Sequence, residues 1–118
     1  MNAMRLTRSG RGRRPPVVKV ITVRRVKAGK EGELDAALLE LRARGVYLLG
    51  YISGETLRGL DDPSLVVVMN TWTNVGAWKR WEQSAQRQEI IAKIEPLLTE
   101  PPKTVVFTLG GETEGAAL

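Results

Sequence analysis

The segment Ser64–Thr73, SLVVVMNTWT, is apolar on both faces of an extended strand. Leu65, Val67 and Met69 would point one way, and Val66, Val68 and Trp72 the other. A strand in a sheet with one solvated face alternates apolar and polar residues, and this one does not. Val17–Val26 (VVKVITVRRV) behaves similarly, with Val18 and Val20 opposed to Val17, Ile21 and Val23. Any fold for this chain must cover a sheet on both sides.

The remaining elements follow from periodicity and punctuation. Glu31–Arg44 carries Leu34, Leu38 and Leu41 at i, i+4 and i+7, with Ala37 beside them, which predicts a helix. Its acids sit in the first turns and Arg42 and Arg44 in the last, matching the helix dipole. Gly45 is placed to end it. Tyr47–Arg58 (YLLGYISGETLR) reads as a second strand, with Gly50 and Gly54 as bulges or close-approach points. Gly59–Pro63 is a turn that hairpins this strand to Ser64–Thr73. Thr73 or Asn74 can cap a helix bearing Trp78 and Trp81 at i and i+3. Ser84 can cap its continuation, where Ile90, Ile91, Ile94, Leu97 and Leu98 keep a helical spacing. Thr99–Pro102 ends it, and Lys103–Leu109 (KTVVFTL) is a fourth strand.

The order β-α-β-β-α-β is an α+β, ferredoxin-like arrangement, with an antiparallel sheet and both helices on one face. The other face still needs a cover. The chain has no spare element to supply it, so the expectation is a homodimer joined through the sheet faces.

The formal charge is +5, and its distribution matters. Residues 1–16 hold Arg5, Arg8, Arg11, Arg13 and Arg14 and no acid. Removing those five from the 18 basic groups leaves 13, equal to the 13 acids of the remainder. The expected division is therefore a basic arm at 1–16, a neutral domain at 17–109 and a tail at 110–118. The arm is expected to be a flexible leader, with nucleic-acid binding confined to it if it occurs at all. Met4 is an alternative start to Met1. No apolar run is long enough for a secretory signal or a membrane span, so a cytoplasmic location and no membrane partner are expected.

The 118 residues include no His and no Cys. That excludes a Ser-His-Asp triad, thiolate chemistry, His- or Cys-ligated metal sites and a proximal-His haem. No metal site and no cofactor are expected. Chemistry is left to carboxylates, Tyr, Arg, Lys, amides, Trp and the substrate itself.

A run of motifs then becomes recognisable. Gly50-Tyr51-Ile52-Ser53-Gly54-Glu55-Thr56-Leu57 precedes an Asp-Asp-Pro turn. A strand ending Asn70-Thr71-Trp72 follows, then a helix with Ala77-Trp78-Lys79-Arg80-Trp81. After these come Ser84-Ala85-Gln86-Arg87-Gln88 and Lys93-Ile94-Glu95-Pro96-Leu97-Leu98. Over residues 17–109 this resembles the antibiotic biosynthesis monooxygenase domain family. The resemblance implies a dimeric α+β barrel with a pocket in each protomer between helices and sheet. It also implies a cofactor-independent monooxygenase acting on a small aromatic, quinol- or anthrone-like substrate. Such a substrate, once deprotonated, is itself the reductant for oxygen. The alternative is a non-catalytic dimeric module that binds a ligand in the same pocket. A haem-degrading branch of the family needs an Asn, a Trp and a His. Here those positions fall near Thr22, on Trp81 and on Ile91, so only the Trp is present and haem degradation is not expected.

The candidate catalytic residues are Asn70, Trp72 and Trp81. The wider substrate-binding set adds Thr22, Arg24, Tyr51, Glu55 and Trp78. Indole N–H and amide groups suit stabilisation of an enolate-type oxyanion. Arg24 and Arg25 point to opposite faces, so at most one of them reaches the pocket, where it would bind an acid or a phenolate. Tyr51, Ser53 and Glu55 are expected on one face of the second strand. Glu55 is expected to pair with Arg24, Arg25 or Arg58.

Overall fold

The computed structural model describes residues 15–109. The arm arginines and the tail from Gly110 lie outside the described residues. The elements are β1 (Val18–Arg25), α1 (Glu31–Gly45), β2 (Tyr51–Arg58), β3 (Leu65–Trp72), α2 (Val75–Glu82), α3 (Ala85–Ile94) and β4 (Lys103–Thr108). A 3₁₀ turn, Glu95–Leu97, follows α3 and contains Pro96. The four strands form one antiparallel sheet in the order β2-β3-β1-β4. This is the α+β, ferredoxin-like arrangement expected. Among the described residues, no helix is long and apolar enough to cross a membrane.

The helix breaks are set by side chains. Asn74 accepts a hydrogen bond from the Ala77 N–H at 2.9 Å and starts α2. Ser84 accepts from the Arg87 N–H at 3.2 Å and starts α3. The two caps bracket the Trp-bearing turns and fix which side of α2 faces the sheet.

Two boundaries depart from the sequence reading. Gly45 is the last helical residue of α1 rather than the residue beyond it, and Val46 caps the helix in the αR region. Residues 47–50 are not strand. Leu48 N–H bonds to Gly45 O, Tyr51 N–H bonds to Leu48 O, and Gly50 sits at φ +98°. Gly50 is therefore a turn residue, not a bulge within a strand. A glycine is required there because L side chains rarely adopt that conformation.

The bulge lies one step later. Tyr51 pairs with Trp72, but Ser53 pairs with Thr71, so the register shifts between them. The shift breaks the two-residue alternation on β2. Tyr51 faces the helices with Trp72, while Ser53 and Glu55 share the opposite face with Thr71 and Met69. The expectation of one common face for Tyr51, Ser53 and Glu55 is thus corrected.

The helix-covered face of β1 is Val18, Val20, Thr22 and Arg24, all buried. On the opposite face, Leu57, Val67 and Val23 form one cross-strand row, and Met69, Ile21 and Val105 form another. Phe107 adds to this apolar surface opposite Lys19. Leu57, Val105 and Phe107 are about half exposed, and no helix among the described residues lies over them.

Candidate functional site

Under the helices the core is split. One cluster gathers Val26, Leu34, Leu38, Val66, Ile90 and Ile94 between α1, α3 and the sheet. The second gathers Val18, Val20, Trp72, Ala77, Trp78 and Trp81. Leu41 packs against both. The stripe Val18, Val20, Thr22 and Arg24 of β1, continued by Val26 just beyond it, crosses from one cluster to the other, and its two polar members fall at the seam. A cavity of about 40 Å³ occupies that seam. That space is enough to admit water.

Its walls are polar and aromatic. Thr22 and Arg24 come from β1, Asn70 and Trp72 from β3, and Trp78 and Trp81 from α2. Arg87 of α3 completes this inner wall. The exposed Arg42 of α1 and the exposed Glu55 and Thr56 of β2 stand at the mouth, where edge strand β2 faces the C-terminal half of α1.

The aromatic groups pack in a chain. Tyr51 meets Trp72 edge to face, with centroids 5.4 Å apart. Trp72 and Trp78 are tilted at 6.2 Å, and the Arg87 guanidinium lies 5.1 Å from the Trp78 ring centroid. A Cβ on Gly45 would stand 3.4 Å from Cζ2 of Trp81, which shows that this indole lies against the end of α1. Trp72 Nε1–H donates to Asn70 Oδ1 at 3.4 Å. Thr22 and Thr104 hydroxyls bond each other across β1 and β4 at 3.1 Å.

The electrostatics are one-sided. Arg24 is only 2% exposed, and its Nε has no hydrogen-bond partner. Arg87 Nε is also enclosed without one. Neither guanidinium forms an ion pair with a carboxylate among the described residues. Burial first, and then the charge of Arg87, lower the pKa of Arg24 to about 10. Burial also lowers that of Arg87, partly offset by Glu82.

All eight predicted site residues border the cavity, in unequal ways. Glu55 reaches only its exposed edge, because the register turns it toward the Met69 face. Nor does Glu55 pair with an arginine: Arg25 takes Asp62 and Arg58 takes Asp35. Sequence reasoning passed over Arg87. Its signal was available, since Arg87, Ile90 and Ile94 lie at i, i+3 and i+7 on one helical stripe. A charged residue on a buried stripe marks either a paired ion or a site.

The comparisons agree with this architecture. The family described as antibiotic biosynthesis monooxygenase matches residues 16–93. No curated protein matches the chain in sequence. Among solved structures, a conserved protein from Methanosarcina mazei Go1 is similar with a TM-score of 0.76 and 17% identity, over 79% of this chain and 92% of that one. SnoaB, a cofactor-independent oxygenase from Streptomyces nogalater, gives 0.73 and 19%, over 80% and 93%. Rv0793 from Mycobacterium tuberculosis gives 0.73 and 19%, over 79% and 94%. These likenesses establish the fold. With the family match spanning most of the chain, the protein belongs to the antibiotic biosynthesis monooxygenase family.

Proposed function

We propose that this protein is a cofactor-independent oxygenase of a small aromatic substrate with an acidic, quinol- or anthrone-type position. The observation that carries the reading is the seam cavity, where three indoles, the Asn70 amide and the Arg24 guanidinium converge. The rings supply flat walls for an aromatic molecule. The N–H donors supply stabilisation for the oxyanion that forms when it loses its proton. Guanidinium charge beside the cavity lowers the substrate's own pKa, so the proton can leave to solvent without a histidine base.

The chemistry then belongs to the substrate. Its enolate passes one electron to O₂, and the resulting radical pair joins to form a C–O bond. The peroxide takes up a proton and loses water, leaving a carbonyl. A ring CH₂ and one O₂ thus become C=O and H₂O. The protein's part is to bind, orient and hold the negative charge.

One observation favours a second reading, a dimeric binding module without turnover. Among the described residues the inner wall carries no carboxylate to act as a base, since Glu55 reaches only the exposed edge. In either reading, a second copy is the proposed cover for the apolar sheet face.

The test is oxygen uptake by metal-free protein with a panel of quinols and anthrones, against autoxidation and a Trp81→Ala protein. Protein-dependent uptake lost in the variant supports the oxygenase. Uptake no faster than autoxidation across the panel favours the binding module.

A further inference from the structure

Buried arginines are ordinarily paired, because an uncompensated charge in a low-dielectric interior is costly. Here the buried Arg24 and the half-buried Arg87 border one cavity, and neither has a carboxylate within ion-pair distance among the described residues. Arg24 and Arg87 also each keep an enclosed Nε without a partner. The nearby acids are otherwise placed: Glu55 is turned to the opposite face, and Glu82 is no closer than a long-range influence on Arg87. The missing counter-charge is therefore expected from a ligand.

Its form follows from the donors. A guanidinium presents a planar fork that matches the two oxygens of a carboxylate. The Arg87 guanidinium lies over the Trp78 ring, and Arg24 is fixed by burial on β1. Both forks are positioned before a ligand arrives, and the indoles beside them suit a flat ring.

Resting on the functional reading above, we propose that Arg24 and Arg87 form a carboxylate clamp, and that the substrate is a hydroxylated aromatic carboxylic acid rather than a neutral quinol. The clamp binds the acid group, leaving the Asn70 amide and the Trp81 indole for the ring oxygen that becomes anionic.

The experiment is anaerobic calorimetric titration with two pairs of probes. These are 2-hydroxybenzoate with 2-hydroxybenzamide, and 1-hydroxy-2-naphthoate with its amide. Binding of at least one acid about tenfold or more tighter than its amide is expected. That preference should vanish in Arg24→Met and Arg87→Met, while the amide's affinity changes little. Arg80→Gln, which removes one exposed positive charge on α2, should keep the preference and so excludes a net-charge effect. Equal binding of acid and amide overturns the clamp, as does failure of both to bind, or a preference that survives both arginine variants. The two readings fail separately. Acid preference without oxygen uptake removes the oxygenase and leaves the clamp. Uptake of neutral quinols without acid preference removes the clamp and leaves the oxygenase.

Discussion

The Trp72 indole and the Asn70 side chain, two residues apart on the covered face of β3, are joined by a hydrogen bond at 3.4 Å from Nε1 to Oδ1. An indole N–H can only donate, so the amide must turn its oxygen to it. The NH₂ is thereby left for another acceptor, beside a cavity whose inner wall also carries the Arg24 and Arg87 donors. A long bond contributes little to stability, and its consequence is orientation.

Asn70→Asp tests that orientation. The carboxylate keeps an acceptor for Trp72 and nearly the same shape, but it replaces the donor with a negative oxygen. Turnover of a substrate that the wild-type protein oxidises should fall about 100-fold or more. The check is the kcat from oxygen uptake, with urea unfolding run alongside to show that the fold survives. Turnover within about threefold of wild type removes Asn70 from the site.

Gly50 couples the turn before β2 to the helix that carries the tryptophans. A Cβ there would lie 2.5 Å from Ala77 Cβ and 3.0 Å from Thr73 Oγ1, and φ is +98°. Gly50→Ala should cost about 2–4 kcal/mol, the sum of backbone strain and overpacking. Urea unfolding measures it. A loss below about 0.5 kcal/mol contradicts the close contact with α2.

These positions show what the sequence could carry. The element order, the helical segments and the capping positions follow from periodicity and side-chain chemistry that act locally. The covered face of β1, with Thr22 and Arg24 among valines, was legible because a strand alternates. The face of Glu55 was not, because one bulge between Tyr51 and Ser53 inverts the alternation, and a bulge leaves no residue signature here. The same holds for the pairing of Arg25. Its partner, Asp62, lies 37 residues away, and only the register of β1 against β3 brings them together. The cavity itself depends on how two clusters fail to merge, which is a packing outcome rather than a pattern.

Asp62 in the β2–β3 turn gives an acid-side prediction. Its Oδ1 accepts from the Ser64 hydroxyl at 2.6 Å and the Ser64 N–H at 3.2 Å, and Oδ2 meets Arg25 at 2.5 Å. The Ser64 hydroxyl foremost, and then Arg25, lower its pKa. A carboxyl with a lowered folded pKa adds stability above its unfolded value, and that stability is lost as pH falls through the folded value. Ser64→Ala should move the Asp62 titration up toward the ordinary carboxyl range. Carbon-detected NMR of the carboxyl follows it directly. An unchanged titration would assign the effect to Arg25.

The uncovered sheet face predicts a dimer that one charge can break. Val67 sits in the row between Val23 and Leu57, near the middle of that face. If a second copy covers it, Val67→Glu buries an unpaired carboxylate at the contact. The dimer Kd should rise at least about 100-fold. Sedimentation equilibrium distinguishes the outcomes. A wild-type protein that is monomeric at micromolar concentration removes the second copy as the cover.

Arg24→Met should stabilise the unliganded protein. Arg24 is buried, and desolvation with the Arg87 charge brings its pKa down to about 10. A lowered pKa on a cation means that the folded state disfavours the charged form. Below pH 10 folded and unfolded chains both hold the proton, and the penalty is present in full. Above it the unfolded chain binds more protons than the folded one, so the stability attributable to Arg24 rises with pH. Replacing the charge by an unbranched apolar side chain should therefore raise stability by about 1–3 kcal/mol at neutral pH. The advantage should narrow as pH climbs past 10. Urea unfolding at neutral and alkaline pH measures both. A bound aromatic acid should reverse the order, because it stabilises only the protein that can clamp it. A variant less stable than wild type at neutral pH, without ligand, would mean that Arg24 already has a counter-charge inside the fold.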